Sequence, residues 1–329
     1  MRTNAKAIRD TDNIRVVMHG LGGVGLPIAK QVLAARDIIL QDVVLVGADV
    51  FEKYGSQVMD ISINHNKTWQ TMYLEKPERH REVLRDLSEK YGATDHLIVV
   101  DFSHASALND LATMCVELGI DFVSGTTGGD REAFEKIVSE GSICAVIDKN
   151  MSITIAGLIN MIQYQTIVNP AFVKGWTVII YERHQWYKGD ISGTALLITE
   201  ILKEAGIRNV KIIPLRIGKD PSQIDDKFVK SLDDIEDPTA RSLLAEVENE
   251  NGHGYHLLRF KSPNNVGFGF YTKVDGRDAY GPGTIAAIRY LSKNAVIAKI
   301  YRMSDVLGLF SPDLIKKVKN EIYINSIVS

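Results

Sequence analysis

The sequence predicts an α/β protein, with a Rossmann-like doubly wound parallel sheet and a second α+β domain built on a mixed or antiparallel sheet. Three observations carry this. In the first half, short β-branched runs alternate with amphipathic segments, the rhythm of βαβ units around a parallel sheet. The turn after the first run reads Gly20-Leu21-Gly22-Gly23-Val24-Gly25. Beyond Asn150 the pattern changes to one long apolar segment followed by runs with strand alternation. At 329 residues and about 150 residues per domain, the length fits two domains.

Ile14 to Met18 is the first strand, and a helix follows the glycine turn from about Leu26 to Ala35. Val43 to Ala48 makes the second strand. Leu97 to Asp101 makes a third, apolar enough to be covered on both faces, with Glu78 to Tyr91 as a surface helix before it. Ala105 to Leu118 has helical periodicity, Asp121 to Ser124 is a short strand, Arg131 to Ser139 a helix and Ile143 to Ile147 a strand. Ile153 to Ile167 suits a helix and Trp176 to Glu182 a strand. Thr194 to Ala205 reads as a helix ended by Gly206, and further strands lie around Val210 to Ile213, Tyr255 to Lys261 and Val266 to Lys273. Lys219 to Asn251 is polar and acid-rich with a helix from about Thr239 to Glu248, and it reads as a mobile insertion or a cover over the site. Thr284 to Leu291 is helical, and the tail is expected to close back on the first domain.

Composition excludes several classes. With 45% hydrophobic and 24% charged residues, the chain has the make-up of a globular enzyme rather than a disordered protein. Its 38 basic and 41 acidic side chains leave a net charge of −3, so no whole-protein footprint for nucleic acid or anionic membrane exists. Cys115 and Cys144 fall in apolar stretches without ligand spacing and read as small buried hydrophobes. Residues 1–13 lack the apolar run of a secretory signal, and the longest apolar stretch, Ile153 to Ile162, is half a membrane span. A cytoplasmic protein in a reducing compartment is expected.

The spacing Gly20, Gly22, Gly25 fits GxGxxG between a strand and a helix. Such glycines allow a tight turn and close approach of Gly22, Gly23 and Val24 backbone to a pyrophosphate, while the helix start supplies N–H donors. Asp49, 24 residues beyond Gly25, is placed to accept the adenosine ribose hydroxyls. The plain alternative is a structural turn and a helix-capping Asp. An acid at this position repels a 2′-phosphate, so the cofactor is NADH or NADPH with NADH favoured, unless Lys53 turns inward. Gly125-Thr126-Thr127-Gly128 lies where amides and hydroxyls meet a nicotinamide or its ribose, or is an ordinary turn capping the helix at Arg131. Phe102-Ser103 occupies the analogous loop.

Glu182-Arg183-His184-Gln185-Trp186-Tyr187-Lys188-Gly189-Asp190-Ile191-Ser192-Gly193-Thr194-Ala195 is the most informative stretch. A strand runs into a polar loop, and Ser-Gly-Thr then opens a helix. The amides of Gly193 and Thr194, the hydroxyls of Ser192 and Thr194 and the Lys188 cation together make an anion pocket suited to a carboxylate. His184 adds a group able to give or take a proton near neutral pH. The bland alternative is a capped helix with surface His and Lys. No metal site is expected: His253 and His256 lie three apart on a strand, point to opposite faces and read as structural.

Together these segments resemble the 4-hydroxy-tetrahydrodipicolinate (dihydrodipicolinate) reductase family, along with Val100-Asp101-Phe102-Ser103, Asn150-Met151-Ser152 and Gly276-Arg277 with Tyr280-Gly281. The sequence looks most like the plant-type branch. Gln185 stands where many bacterial members carry a second His, the loop before Ser192 is one residue shorter, and Gly252-His253-Gly254-Tyr255-His256 resembles that branch's later strand. His19 replaces a usual Gly, and Gly23 stands where an Arg is often found near the adenosine phosphate.

The resemblance implies hydride transfer from a reduced nicotinamide to a cyclic conjugated imine dicarboxylate in lysine and diaminopimelate biosynthesis. It gives His184 the role of general acid and Lys188 that of holding a carboxylate and stabilising negative charge. Ser192, Gly193 and Thr194 grip the other carboxylate, while Gln185 orients substrate or water. It sets Asn150 and Met151 beside the nicotinamide and brings Arg277 back towards the cofactor. It further implies a discontinuous first domain, residues 1–151 with 276–329, around a substrate-binding and oligomerisation domain, 152–275. A homo-oligomer, dimer or tetramer, is expected. Two alternatives stay open: a same-fold imine reductase or amine dehydrogenase with another substrate, and a non-catalytic NAD-binding regulatory protein.

Overall fold

The computed structural model describes residues 13–55, 59–63, 68–169, 175–186, 188–216, 222, 224–245, 252–294, 296, 298–311, 314, 317 and 320. In chain order the first elements are β1 (Ile14–His19), α1 (Gly25–Ala34), β2 (Ile38–Leu45), α2 (Ala48–Tyr54), β3 (Met59–Ile63), β4 (Thr68–Glu75) and α3 (His80–Tyr91). Next come β5 (His96–Asp101), α4 (Leu108–Leu118), β6 (Asp121–Ser124), α5 (Arg131–Glu140), β7 (Ala145–Ile147), α6 (Ile153–Val168), β8 (Thr177–His184) and α7 (Gly193–Glu204). The last are β9 (Asn209–Arg216), α8 (Pro238–Ala245), β10 (Gly252–Lys261), β11 (Gly267–Asp275), α9 (Gly281–Asn294), β12 (Ile300–Tyr301) and α10 (Met303–Val306).

Two compact units form, Met1–Ile153 with Tyr280–Gly308, and Thr154–Ala279 with Leu309–Ser329. The sequence placed everything after residue 276 in the first. Phe310 instead belongs to the second unit, where its carbonyl accepts a hydrogen bond from Asn160 Nδ2 on α6 (2.5 Å) and its ring meets that of Tyr164.

In the first unit an eight-stranded sheet runs β12-β7-β6-β5-β1-β2-β4-β3. All pairings are parallel except β3 against β4. Every residue of β5 is buried, as a central strand covered on both faces must be. On one face Val17, Leu97, Val99 and Phe122 pack with Leu84 of α3, Leu111 and Cys115 of α4, and Phe134 and Val138 of α5. On the other, α1 and α9 lie against β2, β6 and β7. The chain reverses direction across the sheet between β1 and β5, the switch point where open α/β sheets take their ligands.

Two expectations change here. The second strand ends at Leu45 rather than Ala48, so Asp49 sits in the first turn of α2. Residues 59–63 and 68–75, given no element from the sequence, form the antiparallel edge β3–β4; polar and aromatic residues interrupt the apolar alternation there, as edge strands tolerate.

The second unit holds a mixed sheet ordered β11-β10-β8-β9, with β8 parallel to β9 and β10 antiparallel to both β8 and β11. The α7 crossover joins the parallel pair β8 and β9. Lys219 to Asn251 is not a loose insertion in its described parts: Val229 bridges to Leu215, and Ile235, Ala240 and Leu244 join Tyr181, Leu215 and Leu257 in one core. Apolar residues spaced among many acids hid this packing.

The glycine turn gives the first unit a sharp test. A Cβ on Gly25 meets the Gly20 carbonyl oxygen at 2.1 Å, whereas a Cβ on Gly22 meets nothing within 4 Å. Gly25→Ala is expected to lower the urea-unfolding free energy by roughly 1–3 kcal/mol. Gly22→Ala should leave it within about 0.5 kcal/mol.

Candidate active site

Four loops gather at the carboxyl edge of the first unit's sheet. Gly20, at φ +86°, turns the chain out of β1, and its amide donates to Leu45 O at 2.8 Å. A Cβ there meets Phe102 O at 2.7 Å, so the loops after β1 and β5 touch. The start of α1 is capped by no side chain, and Gly22 and Gly23 are exposed, leaving room for a pyrophosphate against the helix end. Beyond β6, Gly125 packs against the Phe102 ring and Met151 so closely that its absent Cβ is what admits them. Arg131 donates to the carbonyls of Thr126 (2.5 Å) and Gly128 (3.2 Å), while Asp130, not a threonine, caps α5. Thr127 is exposed. Asn150 Oδ1 accepts from the Ser152 amide at 2.8 Å.

A buried carboxylate joins these loops. Asp101, fully buried at the end of β5, accepts from Ser103 Oγ (2.6 Å) and Ser124 Oγ (2.8 Å), and its Oδ1 lies 2.8 Å from His19 Nδ1. Burial pushes this carboxyl up, but the His19 and hydroxyl contacts outweigh it and hold it below the usual range. His80 stands edge-on to His19; burial first, and the His19 charge second, lower it to about 4.

Asp49 is exposed, and Lys53, one turn on, lies over the Tyr54 ring. These residues fit a dinucleotide: an open glycine backbone, an uncapped helix start and a carboxylate beyond β2.

The second unit holds the other half of the expected residues. Glu182 and His184, two apart on β8, share one face of the strand, and both are buried. Arg216, at the end of the parallel neighbour β9, is fully buried and donates from Nη2 to Glu182 Oε1 at 2.9 Å. The same guanidinium donates to the carbonyls of Lys188 (2.9 Å) and Asp190 (2.6 Å). Glu182 Oε2 lies 3.1 Å from His184 Nε2 and accepts from the Ser192 amide at 3.3 Å. Burial pushes Glu182 up, yet His184 and then Arg216 more than reverse this, lowering it to about 2.

Ser192 caps α7 by accepting from the Ala195 amide (3.1 Å), and Gly193 and Thr194 form the first turn. Lys188 Nζ rests 2.5 Å from Asp190 Oδ1, whose side chain is mostly exposed. Gln185 is half-buried beside this loop. One buried ion pair therefore ties together the imidazole, the ammonium-bearing loop and the helix start.

Sequence reasoning missed Glu182, Arg216 and His256. A Glu two residues before a strand histidine was a readable signal; Arg216 follows only from the β8–β9 register. His256 was read as structural, but β10 sets it opposite Glu182, with Nε2 2.8 Å from Ser192 Oγ. The side chain of His253 lies outside the described residues. Glu182, His184 and His256 present ligand-type atoms within 4.8 Å of one another, a spacing able to hold a metal ion. Arg216 and the Ser192 amide already occupy the two Glu182 oxygens. Arg277 is half-buried in the second unit, just beyond β11.

Two family profiles match the chain: "Dihydrodipicolinate reductase, N-terminus" over residues 14–151 and "Dihydrodipicolinate reductase, C-terminus" over 157–307. Among similar proteins, 4-hydroxy-tetrahydrodipicolinate reductase 2, chloroplastic, of Arabidopsis thaliana is 32% identical over 70% of this chain and 62% of its own length. A probable chloroplastic reductase 1 of Oryza sativa is 28% identical over 72% of this chain and 64% of its own. The chain thus spans less than two thirds of these relatives, and their chloroplast labels differ from the cytoplasmic location expected above. A dipicolinate-bound dihydrodipicolinate reductase from Paenisporosarcina sp. TG-14 shares the fold, with TM-score 0.55 and 13% identity over 88% of this chain and 97% of that one. No helix among the described residues is long and apolar enough to cross a membrane.

Removing one member of the buried pair leaves the other charge uncompensated. Arg216→Met is expected to cost about 3–5 kcal/mol by denaturant unfolding at pH 7, and Glu182→Leu in the same chain to return much of it. Glu182 has a folded pKa below its unfolded value, so its stabilisation is full above about pH 4.3 and is lost as pH falls through about 2. The stability gap between the native chain and Glu182→Gln should therefore shrink across that acidic window.

Proposed function

This chain belongs to the dihydrodipicolinate reductase family, and we propose that it reduces 4-hydroxy-tetrahydrodipicolinate to tetrahydrodipicolinate with a nicotinamide cofactor. One observation carries the reading. The Glu182–Arg216 pair collects an imidazole, a lysine loop and a helix start within a single cluster. An ammonium and a helix N-terminus are two anion-binding elements of different kind, which suits a substrate with two carboxylates.

The glycine turn and the loops around Phe102, Ser103, Gly125 to Thr127, Asn150 and Met151 would hold a nicotinamide cofactor, which would supply a hydride. The residues of the second unit do the rest. Lys188 exchanges Asp190 for one substrate carboxylate and stabilises negative charge as it develops. Ser192 Oγ and the amides of Gly193 and Thr194 grip the other. Gln185 orients substrate or water. Loss of the 4-hydroxyl as water gives the conjugated imine; hydride addition to it leaves an enamine-like anion, and His184, oriented through Nε2 by Glu182, protonates it, so one hydride and one proton are taken up and one water is released.

NADH is the proposed donor over NADPH. The exposed Asp49 carboxylate disfavours a 2′-phosphate, while Lys53, one turn on, lies over the Tyr54 ring. The burial of Cys115 and Cys144 as small apolar-site side chains fits a reducing compartment such as the cytoplasm. We place the expected homo-oligomer contact on the second unit's sheet, where Trp176, Phe260 and Phe268 pack ring on ring and Val266 is 60% exposed.

Purified protein should oxidise NADH when given freshly generated 4-hydroxy-tetrahydrodipicolinate, with pyridine-2,6-dicarboxylate competing. No turnover from a folded, NADH-binding sample would point to another imine. Lys188→Ala is expected to lower kcat/KM by roughly 10²-fold, about 2.7 kcal/mol of transition-state stabilisation; an unchanged value removes Lys188 from the mechanism. In paired assays, Asp49→Asn should raise the NADPH-to-NADH ratio of kcat/KM by about tenfold.

A further inference from the structure

We propose that His256 is a positioning residue of the dicarboxylate site, orienting the Ser192 hydroxyl so that it donates to a substrate carboxylate. This rests on the reading of the α7 start as a carboxylate grip.

The placement comes from strand register. β10 runs antiparallel to β8 with His256 opposite Glu182, so His256 enters the cluster from a segment 64 residues beyond Ser192 in sequence. It is 4% exposed, and its ring stands edge-on to His184 with centroids 5.5 Å apart. Two residues earlier, a Cβ on Gly254 would meet His184 Cε1 at 2.5 Å; the glycine is what lets β10 approach this closely. Gln185, adjacent to His184, cannot ionise. His256 is the second imidazole of the cluster, and it arrives from a different strand.

The chemistry follows from counting protons and lone pairs. A serine hydroxyl has one hydrogen to give and two lone pairs to receive. At Ser192 one lone pair takes the Ala195 amide, the cap of α7. His256 Nε2, 2.8 Å away, then has two options. If Nε2 carries no proton, it accepts the Ser192 hydrogen and leaves none for a ligand. If Nε2 carries a proton, it donates to the second lone pair, and the hydroxyl hydrogen turns outward. Only that state offers a carboxylate an O–H donor, so a bound dicarboxylate selects Nε2-protonated His256. Without the imidazole, the hydroxyl keeps its capping bond but loses the donor that aims its hydrogen.

The test is a double-mutant cycle on the full chain, read by calorimetry with pyridine-2,6-dicarboxylate in the presence of NADH and by steady-state kinetics. His256→Phe, which keeps the ring but not the donor, is expected to weaken dicarboxylate binding and raise KM by about tenfold, with kcat changed less than about threefold. His256→Gln, which keeps an N–H, should restore part of the loss. In a Ser192→Ala background His256→Phe should cost nothing further, because the two act through one hydroxyl. Additive losses, or wild-type binding by both His256 variants while Ser192→Ala binds weakly, would overturn the role of His256 and leave the grip intact. Full affinity in Ser192→Ala would remove the grip itself, and His256 with it. Should His256→Phe not fold, the comparison of His256→Gln with His256→Ala decides on the same criteria.

Discussion

A carboxylate and a guanidinium, both withdrawn from water, organise the second unit's chemistry. Glu182 and Arg216 sit at the ends of adjacent parallel strands, and neither is tolerable there alone. Their remaining hydrogen-bonding capacity is spent on main chain and on His184. Arg216 holds the carbonyls of Lys188 and Asp190, and Glu182 holds the amide of Ser192. The loop between β8 and α7 is thereby fixed at Lys188, Asp190 and Ser192 by side chains that a bound molecule need not touch. Such rigidity matters because electrostatic stabilisation of a developing charge works only when the stabilising groups are already in place.

The first unit solves a similar problem in a similar way. Asp101 closes β5 and receives hydroxyls from Ser103 and Ser124, with His19 at the end of β1 beside it. Three neighbouring strands are thus tied at their carboxyl ends, under the loops that follow β1, β5 and β6. In both units one buried acid, satisfied by neighbours on other strands, sets the shape of the surface above it.

Much of this was legible in the amino-acid order. Parallel-strand burial, glycine spacing and the Ser192 cap are local patterns, and local patterns survive as text. So do the crowded polar residues from Glu182 to Thr194, because the loop and helix start are contiguous. What escaped is non-local. Arg216 is an ordinary strand-end cation until β9 is laid beside β8, and His256 becomes part of the cluster only through the β10 register. The edge pair β3–β4 was silent for another reason: its strands lack the clean apolar alternation of the interior. Asp49 was placed at a strand end when a glycine, Gly47, had already turned the chain into α2.

The chain's route through its first unit carries a consequence for synthesis. β12 pairs with β7 as the last strand of the sheet, and α9 packs on α1, β6 and β7, yet both are encoded after residues 154–279 of the second unit. A ribosome that has released residues 1–153 has delivered a sheet with an open edge at Ala145–Ile147 and with β6 and β7 still lacking the cover of α9. The nascent nucleotide-binding half must wait, guarded or partly formed, until residues 280–308 emerge to finish it. Truncation between residues 280 and 308 would therefore damage the unit made first.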